Sequence, residues 1–188
     1  IGGIFLTEEA AGADLIIDSR VPLPREVIEQ IDAARAIVTH GHGFDEIDHV
    51  AATERGIMLA NCAGFVTEEV SNHTIMLLLA CSRKLNVAQN LARRGNWSDR
   101  VDRLKGILPM DECVLGLVGV GNIGRAVARK ARVLGLEIIA HDPYLAPWDA
   151  REYGVTLVDS LTDVADSSDF VSVHTPLNDE TRHLINAP

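Results

Sequence analysis

The sequence has no apolar stretch near the roughly 20 residues that a bilayer-spanning helix needs, so no helical membrane span is expected. Basic residues are scarce. Against 27 Asp and Glu stand 17 Lys and Arg, a formal charge of -10, and such a balance repels a phosphate backbone; no nucleic-acid partner is expected. Cysteine is scarce as well. Cys62, Cys81 and Cys113 have no C-x-x-C spacing, and no secretory leader pattern precedes them, which predicts a reduced, cytoplasmic setting and gives no support to a structural metal site. What is present is 188 residues, 47% of them apolar, enough for one good core or two small ones.

Short apolar runs alternate with helical stretches from "ADLIIDSR" onward: "REVIEQI", "RAIVTHGHGFDEID", "DHVAATERG" and "IMLANC". This rhythm predicts parallel β-α units whose strands read as continuously apolar because helices cover both faces of the sheet. One long helix is expected from Thr67 to about Arg94, with Val70, Thr74, Leu77, Leu78 and Cys81 on one side, ending one domain and bridging to the next. The charged stretch "RRGNWSDRVDRLKGILPMDECV" breaks the periodicity and is the expected domain boundary, with a hinge near residues 85–110. The β-α rhythm then restarts, with strands expected at 114–118, 136–141, "VTLV" and "SDFVSVH" and a helix at about 123–134. At most four strands are expected here, fewer than the six of a complete double-wound fold.

The restart contains "VLGLVGVGNIGRAVARKARVLGLEIIAHDPY", in which Gly119, Gly121 and Gly124 form G-x-G-x-x-G directly after an apolar strand. Each glycine answers a separate demand: a tight turn, backbone exposed to a pyrophosphate, and a close helix-strand approach. The helix start offers unpaired N–H groups to the phosphate charge. Asp142, 21 residues beyond Gly121 at the end of the next expected strand, is placed to accept both adenine-ribose hydroxyls. It also repels a 2'-phosphate, and no arginine follows it, so NAD is expected over NADP. The competing reading, glycines that only pack and an aspartate that only opens a turn before Pro143, explains the spacing less completely.

These residues resemble the D-isomer-specific 2-hydroxyacid dehydrogenases. The resemblance rests on "GHGFDEIDHVAATERGIMLANCAG", "VTEEVSNHTIMLLLACSRKL", the glycine segment and "SSDFVSVHTPLNDETRHLIN", in that order along the chain. It implies an α/β protein: a flavodoxin-like substrate domain over residues 1–95, including the 67–94 helix, joined to a Rossmann-type doubly wound NAD-binding domain, incomplete, over 96–188. It further implies a hydride passed between NAD(H) and C2 of a small 2-hydroxy or 2-oxo acid, D-3-phosphoglycerate or hydroxypyruvate among them, in a homodimer. Carried over by position, Gly119, Gly121, Asn122, Ile123 and Gly124 meet the pyrophosphate, Asp142 with Pro143 lies at the ribose, and His174, Thr175 and Pro176 border the cofactor. His42 and Gly43 in "GHGFD" face the substrate carboxylate with their backbone N–H groups, an anion nest.

Two departures qualify the resemblance. His42 stands where the family commonly has a small apolar residue; it reads either as a contact to a second anionic group on the substrate or as a solvent-facing loop histidine. Asn72 stands in "VSNHT" where many members have an acid, which weakens the case for a helix-cleft salt bridge without touching the hydride chemistry. The arginine, glutamate and histidine that the family uses for carboxylate clamping and proton transfer are expected beyond residue 188. None of His40, His42, His73, His141, His174 or His183 takes the position of that histidine, so no catalytic residue is assigned and the 188 residues alone are expected to be inactive. An NAD(H)-sensing, corepressor-like interaction protein is the alternative within the same fold.

Overall fold

A computed structural model describes residues 12–19 and 21–186. Two separate parallel sheets are present, as the restarted rhythm predicts. The first has the order β1 (Leu15–Asp18), β2 (Ala36–Thr39), β3 (Met58–Asn61), with α1 (Arg25–Ile28) and α2 (His49–Glu54) as crossovers. Asp48 starts α2 by accepting the Ala51 N–H at 2.8 Å, the bond that a helix start needs from its preceding side chain. Ile16, Ile28, Ile37, Ile47, Ala52 and Ile57 form the core of this layer.

The second sheet has the order β6 (Thr156–Leu157), β5 (Glu137–His141), β4 (Val114–Val118), β7 (Phe170–Val173). Its helices are α6 (Asn122–Val133), α7 (Pro147–Glu152) and α8 (Leu161–Ser167), the last capped by the Ser160 hydroxyl, which accepts the Asp163 N–H at 3.0 Å. On α6 the buried positions are small, Gly124, Ala126, Val127, Ala128 and Ala131, so its backbone lies close to β4. The chain steps outward from β4 to β5 and β6, then returns to the other side of β4 for β7. The carboxyl ends of β4 and β7 are therefore a topological switch point, where open α/β sheets bind ligands.

Two expectations fail. The long helix is two: α3 (Thr67–Ser82) and α4 (Leu85–Arg93), separated at Lys84, whose φ of 50° lies in the left-handed region. A 3-10 turn (Trp97–Asp99) and a short α5 (Arg100–Arg103) follow. The chain divides into compact units 1–66 with 176–188, and 67–175, which places α3 with the second sheet. The reason is packing: Ile75 and Leu78 of α3 join the core around β4 and α6, and Lys130 on α6 bonds the side chains of Glu68, Ser71 and Asn72 at 2.8, 2.6 and 2.6 Å. Lys130 and Arg129 together hold Glu68 below the usual carboxylate range through these hydrogen bonds. Lastly, only β4 and β5 are buried on both faces. Leu15, Ile17, Met58, Val171 and Val173 are exposed, and all five stand on strands at an edge of their sheet.

Candidate functional site

The glycine turn is built as its spacing requires. Gly119 has φ +90°, and a Cβ there would meet the Thr175 side chain and His174 backbone at 3.0 to 3.1 Å. Gly124 lies so near the turn that a Cβ would stand 2.4 Å from Gly119 O. Gly121 differs from both. Its φ of -71° is ordinary, and nothing lies within 4 Å of the position of a Cβ, so this glycine leaves an open face.

That face is lined with donors. The first hydrogen bond of the 12-residue α6 runs from the Arg125 N–H to Gly121 O at 2.9 Å. The N–H groups of Asn122, Ile123 and Gly124 come before it and carry the positive end of the helix dipole. No side chain caps this end. Asp142 leaves the end of β5 beside the turn: one carboxylate oxygen accepts the Val120 N–H at 2.7 Å and the other the Tyr144 N–H at 3.0 Å. Each oxygen has a second lone-pair site left for an incoming hydroxyl. The backbone partners of Asp142 were missed in the sequence, where spacing alone recommended it. A diphosphate over Gly121 with a ribose at Asp142 fits this cradle.

His174 follows β7 at the switch point. Its N–H donates to Val118 O at 2.8 Å, and its ring Nε2 lies 2.9 Å from Ser172 Oγ. Burial lowers its pKa below the ordinary 6.5, so the ring is neutral at neutral pH and borders the turn without a charge. Thr175 shares the wall against Gly119. Pro143 is exposed beyond Asp142. Pro176 follows Thr175 directly in the chain.

In the first unit, the loop after β2 crosses the carboxyl ends of the strands. Asn61 Nδ2 donates to His42 O at 2.7 Å, and the Cys62 N–H to Gly41 O at 3.0 Å. These bonds tie the loop to the end of β3 while the His42 and Gly43 N–H groups have no acceptor among the described residues. A cleft of about 390 Å³ opens here, lined in part by Asp18, Thr39, His42, Gly43, Asp45 and Glu46. Asp18 is buried and accepts the Val21 N–H at 2.9 Å on one oxygen and the Thr39 hydroxyl at 3.3 Å on the other. Asp45 Oδ1 lies 3.0 Å from where a Gly43 Cβ would be, so this loop has an acidic neighbour. The His42 ring is exposed.

Residues 75–188 match the model of the D-isomer specific 2-hydroxyacid dehydrogenase NAD-binding domain. Among curated proteins, the chain is 36% identical over 181 residues to a D-3-phosphoglycerate dehydrogenase of Methanocaldococcus jannaschii, covering 96% of this chain and 34% of that protein. It is 36% identical over 166 residues to a glyoxylate reductase of Korarchaeum cryptofilum, covering 87% and 49%. Among solved structures, D-lactate dehydrogenase from Aquifex aeolicus, complexed with NAD and lactic acid, superposes with a TM-score of 0.87 at 27% identity over 96% of this chain and 53% of that one. The chain thus spans between a third and about half the length of these relatives. By this match, the chain belongs to the D-isomer-specific 2-hydroxyacid dehydrogenase family.

Proposed function

We propose that this chain supplies the cofactor cradle and the carboxylate-binding loop of an NAD-dependent dehydrogenase acting at C2 of a small D-2-hydroxy or 2-oxo acid. The observation that carries the proposal is the open face over Gly121, bordered by the unspent N–H groups of α6 and by Asp142 at 2.7 Å from Val120 N. In this reading the N–H groups of Gly121, Asn122, Ile123 and Gly124 bind the pyrophosphate, and Asp142 accepts the ribose hydroxyls and repels a 2'-phosphate, favouring NAD. His174 and Thr175 wall the turn, with Pro143 and Pro176 at its margins. The bound nicotinamide would supply or take the hydride.

In the first unit, His42 and Gly43 would bind the substrate carboxylate through their N–H groups, since adjacent amides on a turn form a nest for an anion. The carboxylates of Asp45 and Glu46 on the same cleft disfavour a second anionic group, so hydroxypyruvate or glyoxylate suits the loop better than a phosphorylated acid. This chain's residues are given no proton-transfer role: His174, the half-buried histidine of the switch point, is neutral and engaged with Ser172. The substrate domain is assigned to the first compact unit and the NAD-binding domain to the second. The working protein is proposed to be a cytoplasmic homodimer, on the resemblance to its family.

The test is NADH oxidation with hydroxypyruvate, glyoxylate, pyruvate and D-3-phosphohydroxypyruvate, using the whole protein that carries this sequence. Turnover confined to 2-oxo acids, with the unphosphorylated ones favoured, is expected. A protein that binds NADH yet reduces none of the four would contradict the assignment and favour a sensor role.

A further inference from the structure

Val120 sits between two glycines, where the backbone has the most freedom to lose, yet both of its backbone polar groups are held by ionised side chains. Its N–H donates to Asp142 Oδ2 at 2.7 Å. Its carbonyl accepts from Arg125 Nε at 3.0 Å. The guanidinium is itself fixed from the far side: Arg125 Nη1 reaches the Tyr153 hydroxyl at 3.3 Å, and its central carbon stands 4.7 Å from the centre of the Tyr153 ring, within range of a cation–π attraction. Tyr153 is anchored in turn, its ring against the core of the sheet and its backbone carbonyl accepting from Arg132 at 3.4 Å.

We infer that Arg125 is a positioning residue that aims the Gly121 N–H at the open face of the turn. The peptide joining Val120 to Gly121 is planar and trans, so its N–H points opposite to its C=O. Holding Val120 O toward Arg125 therefore turns the Gly121 N–H away from the guanidinium and Tyr153, and that N–H has no acceptor among the described residues. The guanidinium acts through Val120 and leaves the pyrophosphate to the backbone amides. Tyr153, on the helix-to-strand connection after α7, becomes part of the cofactor site without facing it. This inference rests on the proposed dinucleotide site, but the clamp can be tested without a cofactor.

The measurement is amide hydrogen exchange of the free chain, wild type against Arg125→Ala, Arg125→Lys and Tyr153→Leu. Loss of one hydrogen bond to a charged group should speed Val120 exchange by about tenfold in Arg125→Ala, leave Leu117 within about twofold, and be partly rescued in Arg125→Lys. Tyr153→Leu, which keeps both clamp partners, should shift Val120 in the same direction by a smaller factor and serves if the alanine variant does not fold. Unchanged Val120 exchange, or equal acceleration at Leu117, would overturn the clamp. NADH titration supplies the second arm: Arg125→Ala should weaken binding by about five- to tenfold, and an unchanged affinity would overturn the positioning role. Failure of the wild-type chain to bind NADH would instead refute the cofactor site itself, with the exchange result still deciding the clamp.

Discussion

Replacing Gly121 and Gly124 by alanine, one at a time, should separate cofactor binding from folding. At Gly124 the new methyl would lie 2.4 Å from Gly119 O, about 1 Å inside ordinary contact. The obstructing atom is backbone, and Gly119 is itself tied to β5 through its N–H to His141 O at 3.0 Å, so neither side yields cheaply. Overpacking of this kind costs about 2–3 kcal/mol, offset by up to about 1 kcal/mol from the better helix propensity of alanine, leaving about 1–2 kcal/mol of lost stability. At Gly121 the methyl enters empty space at an ordinary φ of -71°, and folding stability should hold or rise by up to about 1 kcal/mol. Its methyl would, however, stand where the pyrophosphate must approach, and NADH affinity should fall at least about tenfold. The chain's two tryptophans, Trp97 and Trp148, both lie in the second unit. Urea unfolding followed by tryptophan fluorescence therefore reports the relevant unit, and NADH titration gives the affinity. A Gly121→Ala protein as destabilised as Gly124→Ala, or one that still binds NADH as the wild type does, would refute the division of roles.

Two further perturbations probe the surroundings. Lys130→Met should cost about 1–2 kcal/mol because it leaves the buried Ser71 hydroxyl without its charged donor, whereas Glu68→Gln, at an exposed position, should cost less because solvent screens the pair; equal losses in urea unfolding would show that the exposed ion pair dominates the latch. His174, with its pKa depressed by burial, binds fewer protons folded than unfolded, so its contribution is full above 6.5 and is lost as pH falls through that value toward the folded pKa. The stability of the second unit should decline over that range in the wild type and less steeply in His174→Gln, and parallel pH profiles would contradict the assignment.

The element order could be read from the sequence because parallel strands announce themselves as apolar runs, and "LIID", "AIVT", "VLGLV" and "EIIAH" fall where β1, β2, β4 and β5 form. Gly119, Gly121 and Gly124 could be read because their spacing is imposed by one local turn. Partnerships across long sequence separations could not. The helical stripe of Val70, Thr74, Leu77, Leu78 and Cys81 showed a face without showing its partner, and it is Leu78 with Ile75 that joins the β4 core. The decisive partner, Lys130, lies 58 to 62 residues further on. Asn72, whose neutrality argued against a salt bridge, instead accepts from that lysine at 2.6 Å. The break at Lys84 had no glycine or proline to mark it, and the Arg125 contact to Val120 depends on a rotamer that no spacing rule encodes.

The central claim, a dinucleotide site whose ribose end is Asp142, is tested most directly by measuring NADH and NADPH affinities of the wild-type chain and Asp142→Asn. The carboxamide retains an oxygen acceptor for one of the two backbone N–H groups that the carboxylate receives, so the variant should keep the turn, which its unfolding curve checks. The wild type should prefer NADH. Losing the charge should weaken NADH by roughly 10- to 150-fold, the equivalent of about 1.5–3 kcal/mol, while NADPH holds or improves because its 2'-phosphate is no longer repelled. Equal losses for the two cofactors, or none for NADH, would contradict the account.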